Sequence, residues 1–215
     1  MSPVLSIVLA TQNQGKLAEL RLLLADLPVH VISVRDALGA GLDVVEDGAT
    51  FADNALLKAR AVCRATHMVS LADDSGLEVD ALGGRPGVRS ARFASEHATD
   101  AENNALLLRE LDEVPEAQRS ARFRCVLALV TPFSDGASTV DGVCEGSIAR
   151  APRGNAGFGY DPLFVVSGEG GRTMAELGEH EKNRISHRGR AVRALRPLLI
   201  QLVNRTLDEA ESVLG

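Results

Sequence analysis

The chain has 215 residues, 45% hydrophobic and 24% charged, with a net charge of −6 at pH 7. That length suits one sizeable domain or two small lobes around a cleft, and the acidic balance argues against nucleic-acid or membrane partners while permitting a small anionic ligand in a basic pocket. Cys63, Cys125 and Cys144 lie far apart without C-x-x-C spacing, the pattern of buried thiols in a reducing compartment; with no basic region before a short N-terminal apolar run, a cytoplasmic location is expected.

Val4 to Ala10 is a continuous apolar run, the pattern of a strand covered on both faces. The polar loop Thr11-Gln12-Asn13-Gln14-Gly15-Lys16 follows, then a helix marked by Leu17, Leu20, Leu24 and Leu27, with Asn13 as its N-cap. Lys16 falls in the first turn, where the helix dipole disfavours a cation and free N–H groups favour an anion. A phosphate ligand would suit that combination. Val29 to Val34 reads as a second strand, and 36–48 as an irregular acidic stretch containing Asp43, Glu46 and Asp47. Thr50 with Asp53 forms a capping box for a helix whose stripe includes Ala55, Ala59 and Val62, with Lys58 at its border.

Met68 to Ala72 reads as a strand that ends in Asp73-Asp74-Ser75-Gly76. Two adjacent carboxylates repel unless a proton or cation intervenes, and the carboxyl end of a strand is where open α/β sheets place ligands. The same four residues are also ordinary turn chemistry. Leu77 to Ala81 can return as a short strand, 83–87 is a loop, and Thr99 with Glu102 opens a helix to about Leu111. Phe123 to Val130 and Ser138 to Glu145 read as a hairpin around the turn 133–136. In the loop 154–162, three glycines allow close backbone approach to something. Phe158 there either stacks on a planar base or plugs the core. Leu163 to Val166 is another strand, and Thr173 with Glu176 caps a short helix. Lys182 lies in a polar stretch before Ser186, the N-cap of a long last helix with Pro197 inside it. His187 and Arg188 occupy its first turn against the dipole. Interleaved helices and strands with one hairpin give an α/β fold with a mixed sheet.

Neither Gly-x-Ser-x-Gly nor H-E-x-x-H occurs, and the loop 11–16 lacks the first glycine and the hydroxyl of a P-loop. What remains suits a magnesium–nucleotide complex, with acidic groups for the metal, lysines for phosphates, and the loops near Phe158 and His187 for the base. Phosphoanhydride hydrolysis needs little more than a metal, cationic clamps and a carboxylate acting on water.

Five segments occur in order: Thr11-x-Asn13-x-x-Lys16; Glu46 with Thr50-Phe51-x-x-Asn54-Ala55; Leu71 to Leu77; Phe158-Gly159-Tyr160-Asp161-Pro162; and Lys182-Asn183-x-x-Ser186-His187-Arg188. Together they closely resemble the inosine triphosphate pyrophosphatase family, the bacterial XTP/dITP diphosphatases, over about residues 4–194. The resemblance implies a single ITPase-like domain over 1–215: a long mixed β-sheet flanked by helices, with two lobes and an active-site cleft between them. It implies a homodimer and magnesium-dependent hydrolysis of ITP, dITP and XTP to monophosphate and pyrophosphate, clearing deaminated purines from the nucleotide pool. By position, Glu46 and Asp74 would hold Mg2+, Asp74 would be the catalytic base, and Asp73 would assist through the metal's waters. Thr11, Gln12, Asn13, Gln14, Gly15, Lys16, Lys58 and Ser75 would bind phosphate, Gln12 and Gln14 falling at tolerant positions. Phe158, Gly159, Tyr160, Asp161, Lys182, His187 and Arg188 would read the base. The segment past Asn204 carries no motif. The competing readings are a Maf-like pyrophosphatase acting on pyrimidine or modified nucleotides, and a nucleotide-sensing module without turnover.

Overall fold

The computed structural model describes residues 5–133 and 136–214. Its strands are β1 (Leu5–Leu9), β2 (Val29–Ser33), β3 (Val69–Val79), β4 (Ser120–Val130), β5 (Ala137–Ile148) and β6 (Phe164–Val166). The helices are α1 (Gln14–Leu23), α2 (Val34–Leu38), α3 (Phe51–Thr66), α4 (Asp100–Glu110), α5 (Glu179–Ile185) and α6 (His187–Leu214). The strands form one six-stranded sheet in the order β2-β1-β3-β4-β5-β6. β1 pairs parallel with β2 and β3, whereas β5 and β6 are antiparallel, so the sheet is mixed as expected. The expected hairpin turn includes residues 134 and 135, which lie outside the described residues, as does Val4.

The chain divides into two compact units, one of residues 1–74, 126–141 and 191–215, the other of 75–125 and 142–190. In the first, the apolar run of β1 is covered on both faces: Ile7, Val8 and Leu9 are all fully buried. The Thr50–Asp53 capping box forms as read, with reciprocal bonds of 3.1 and 3.0 Å. It sets α3 so that Ala55, Ala59 and Val62 face the core. In the second, Leu77, Leu107, Leu111, Phe164 and Met174 belong to one apolar cluster and are all fully buried.

Two local expectations give way to tertiary context. Asp73 to Gly76 is not a turn: β3 runs unbroken through it, and Leu77 to Val79 is the end of the same strand rather than a return. Local turn preference is a weak prior, and an inner strand with ladder partners overrides it. The acidic stretch after β2 begins with a helical turn, α2, closed by its own capping box between Ser33 and Asp36. The polar stretch that carries Lys182 forms α5. Ser186 does cap α6, its Oγ accepting from Gly189 N at 3.1 Å. Pro197 sits within α6, which continues past Asn204 to Leu214. Among the described residues no helix is long and apolar enough to cross a membrane.

Candidate active site

The first unit carries Glu46, Asp73 and Asp74 and, apart from Ser75, the residues expected to bind phosphate. Successive strand residues point to opposite faces, and Asp73 and Asp74 pair with different lysines. Lys16 Nζ lies 2.6 Å from Asp73 Oδ1. Lys58 Nζ lies 2.7 Å from Asp74 Oδ1 and 3.0 Å from Glu46 Oε2. The mutual repulsion expected of neighbouring carboxylates is thus relieved by ammonium groups arriving from α1 and α3. Burial pushes the Asp74 carboxyl above the ordinary aspartate range, more strongly than Lys58 and Lys16 pull it down. Burial alone would lower Lys58, yet the carboxylates of Asp74 and Glu46 carry its ammonium above the usual lysine value.

Asn54, which motif reading left without a role, ties this cluster together. Its amide donates to Asp74 Oδ2 at 3.4 Å, and its Oδ1 accepts from Gly48 N at 2.8 Å. One buried side chain therefore connects the loop that carries Glu46 to the strand that carries Asp74. Its place in the Thr50–Ala55 segment was the only sequence signal.

The loop before α1 is braced by its own side chains. Asn13 caps the helix, its Oδ1 accepting from Lys16 N at 3.0 Å. Thr11 Oγ1 accepts from Asn13 N at 3.2 Å, and Gln14 donates to Gln12 O at 3.3 Å. Gln12 Nε2 donates to Leu42 O at 3.0 Å. The first turn contains no acidic residue, so the helix N-terminus itself favours an anion, while the Lys16 ammonium beside it is paired with Asp73.

Glu46 and Asp74 both reach one point, the Lys58 ammonium, with hard oxygen donors. No group of three or more His, Cys, Asp or Glu able to hold a metal occurs among the described residues. Two carboxylates fit magnesium, which keeps several waters and usually shares its shell with substrate phosphates.

The second unit carries the residues expected to read the base. Asp161 is the hub of the glycine-rich loop: its Oδ2 accepts from Lys182 Nζ at 2.7 Å and from Phe158 N at 3.1 Å. The half-buried Phe158 ring lies beneath two cations, with Lys182 Nζ 5.1 Å and Arg188 Cζ 5.8 Å from its centroid. Arg188, only 1% exposed, donates to Ser75 Oγ at 3.0 Å. His187 stacks on Phe123 with centroids 4.8 Å apart. Tyr160 is turned inward, its hydroxyl donating to Ser90 O at 2.8 Å. Burial pushes its phenol upward, so it anchors the loop as a neutral hydroxyl.

The Ham1 family profile matches residues 7–198 of the chain. A dITP/XTP pyrophosphatase from Geobacillus kaustophilus is 55% identical over 189 residues, covering 88% of this chain and 91% of that protein. The structure of a HAM1 protein from Coxiella burnetii superposes with a TM-score of 0.82 at 46% identity, covering 92% of this chain and 99% of that one. A nucleoside-triphosphatase / dITP/XTP pyrophosphatase structure from Mycobacterium abscessus gives 0.72 at 49% identity, covering 89% and 99%. With most of its length matched by the profile and about half its residues shared with these relatives, this chain belongs to the Ham1 family.

Proposed function

We propose that this chain is a nucleoside triphosphate pyrophosphatase. It cleaves dITP, XTP and ITP to the monophosphate and pyrophosphate and so clears deaminated purines from the nucleotide pool. The observation that carries the reading is the Glu46–Lys58–Asp74 constellation, with Lys58 and Asp74 buried, in a chain whose relatives are dITP/XTP pyrophosphatases.

Asp74 is the general base. Its carboxylate, raised by burial, takes a proton from water more readily than an ordinary aspartate would. Lys58 and Asn54 hold that carboxylate in place, which fixes the direction of proton transfer. Lys58 stays protonated and, with Lys16 and the amides of the first α1 turn, offsets charge on the phosphate oxygens. Glu46 and Asp74 would hold magnesium, which when bound polarises the phosphoanhydride and neutralises developing charge. Asp73 stays paired with Lys16 and orients it toward the phosphates.

Phe158 provides the face on which a purine stacks. Lys182 and Arg188 are donors beside that ring, suited to the 6-oxo group of hypoxanthine and xanthine. Adenine offers a 6-amino group there and would leave these donors unpaired, which discriminates by up to roughly 10⁴-fold. The active form is a homodimer.

The test is pyrophosphate release from ITP, XTP, dITP, GTP, ATP and dTTP, with and without magnesium, for the native protein and Asp74→Asn. Magnesium-dependent turnover of ITP, dITP and XTP that disappears in Asp74→Asn is expected. Preference for dTTP would move the chain to pyrimidine substrates, and binding of ITP without turnover would make it a sensor. Light scattering reads the dimer directly.

A further inference from the structure

Within the second unit, the loop that holds Phe158 is gripped from outside by two residues that no motif contains. Asp100 Oδ2 accepts from Gly159 N at 2.7 Å, and Asn104 Nδ2 donates to Gly159 O at 2.9 Å. Asp100 and Asn104 are four positions apart on α4, so they share one face of that helix. They satisfy both polar backbone groups of a single residue, and that residue is the loop's freest. Gly159 has a φ of +61° and open space where a Cβ would stand. Nothing steric holds it, and glycine has the most conformational freedom to lose.

The neighbouring amide makes the contrast. Asn103 uses both ends on local scaffolding, donating to Ala91 O and accepting from Ala94 N. Asn104 uses only its donor, and its buried Oδ1 has no hydrogen-bond partner among the described residues. Leaving a buried acceptor unpaired is unfavourable. A leucine there would avoid that cost and lose only the bond to Gly159. The residue choice thus favours holding the loop over local stability.

We propose that Asp100 and Asn104 are specificity-determining positioning residues: they clamp Gly159 and thereby set the Phe158 ring and the Asp161 carboxylate, without touching substrate themselves. The chain of contacts is short. Gly159 is bonded to Phe158, Phe158 N donates to Asp161, and Asp161 accepts from Lys182. A loop released at Gly159 lets the stacking face and the donor beside it drift apart, while the Glu46–Lys58–Asp74 cluster keeps its own partners. The inference rests on the base-reading role proposed above.

The experiment compares native protein with Asp100→Ala, Asp100→Asn and Asn104→Leu. ITP and ATP kinetics are measured together with amide hydrogen exchange over residues 154–161. Asp100→Ala and Asn104→Leu are each expected to raise KM for ITP about tenfold, equivalent to about 1.4 kcal/mol, with kcat within about twofold. The preference for ITP over ATP should shrink, and the Gly159 amide should exchange faster. Asp100→Asn keeps an acceptor oxygen and should restore KM. Unchanged exchange in both truncations would overturn the clamp. Faster exchange with unchanged KM and unchanged preference would overturn its role in specificity, as would equal losses in kcat and KM tracking a lower melting temperature. If the native protein does not hydrolyse ITP, the proposed activity and this specificity role fail together, and the exchange experiment alone decides the clamp.

Discussion

Gly157→Ala tests the base-reading loop through a single methyl group. Gly157 has a φ of +78°, and a Cβ there would collide with Asp161 Oδ2 while lying 3.1 Å from Lys182 Nζ. The left-handed backbone costs a non-glycine residue about 1–2 kcal/mol. Relieving the collision moves the Asp161 carboxylate off Lys182, and losing that charged hydrogen bond costs about 1.5–3 kcal/mol. The sum is about 2.5–5 kcal/mol, which for a chain of this size lowers the melting midpoint by roughly 5–20 °C. Gly159→Ala is the matched control. Its φ is +61° but nothing lies within 4 Å of the added Cβ, so only the backbone cost of about 1–2 kcal/mol applies. Thermal unfolding by circular dichroism and steady-state ITP kinetics read both variants. Gly157→Ala should melt lower than Gly159→Ala and show the larger rise in KM for ITP. Equal melting points for the two variants, or a native KM in Gly157→Ala, would refute the close approach to Asp161 as the reason for glycine at this position.

Three other expectations follow from buried ionisable groups. Because burial raises the Asp74 carboxyl, the acid limb of kcat/KM should lie above the ordinary aspartate value of about 3.9: below its pKa the group is protonated and cannot accept the proton of water. An acid limb at or below that value, measured across a pH series, would remove Asp74 as the base. Arg119, 2% exposed, donates to the main-chain carbonyls of Leu111, Val114 and Ala149 behind the end of α4. Arg119→Met leaves these acceptors unpaired and should destabilise by about 3–5 kcal/mol in urea unfolding, with an ITP KM close to native in the protein that remains folded. Cys144 is buried and its thiol is pushed up to about 11, so it should resist a thiol reagent at pH 8 in the native protein and react once unfolded.

Much of this architecture is written in local patterns. The unbroken apolar run of β1, the Thr50–Asp53 box that opens α3, and the hydroxyl of Ser186 before α6 each depend on neighbours a few residues away. They formed where the sequence placed them. The five ordered segments were also enough to point to the family. Other features depend on residues far apart in the chain. Whether Asp73 to Gly76 turns or continues is decided by the inner position of β3 in the sheet and by lysines from α1 and α3, more than a dozen residues away in sequence. Composition shows two adjacent carboxylates; only the folded chain gives each its own ammonium and raises Asp74 by burial.

The glycines of 154–159 show the same division. Their number announced a close approach, but the group approached at Gly157 is the chain's own Asp161, and Gly159 is free of contacts and held instead by its backbone. Tyr160 was expected among the base readers by its position, yet its ring is core and its hydroxyl serves Ser90. Asn54, Asp100, Asn104 and Arg119 carry no chemical signature in the sequence because a polar side chain acquires its task from what lies opposite it. Local sequence determines which elements form and which reactive groups are available. Tertiary structure determines which charges meet and which are stripped of water, because those interactions depend on through-space distance and burial.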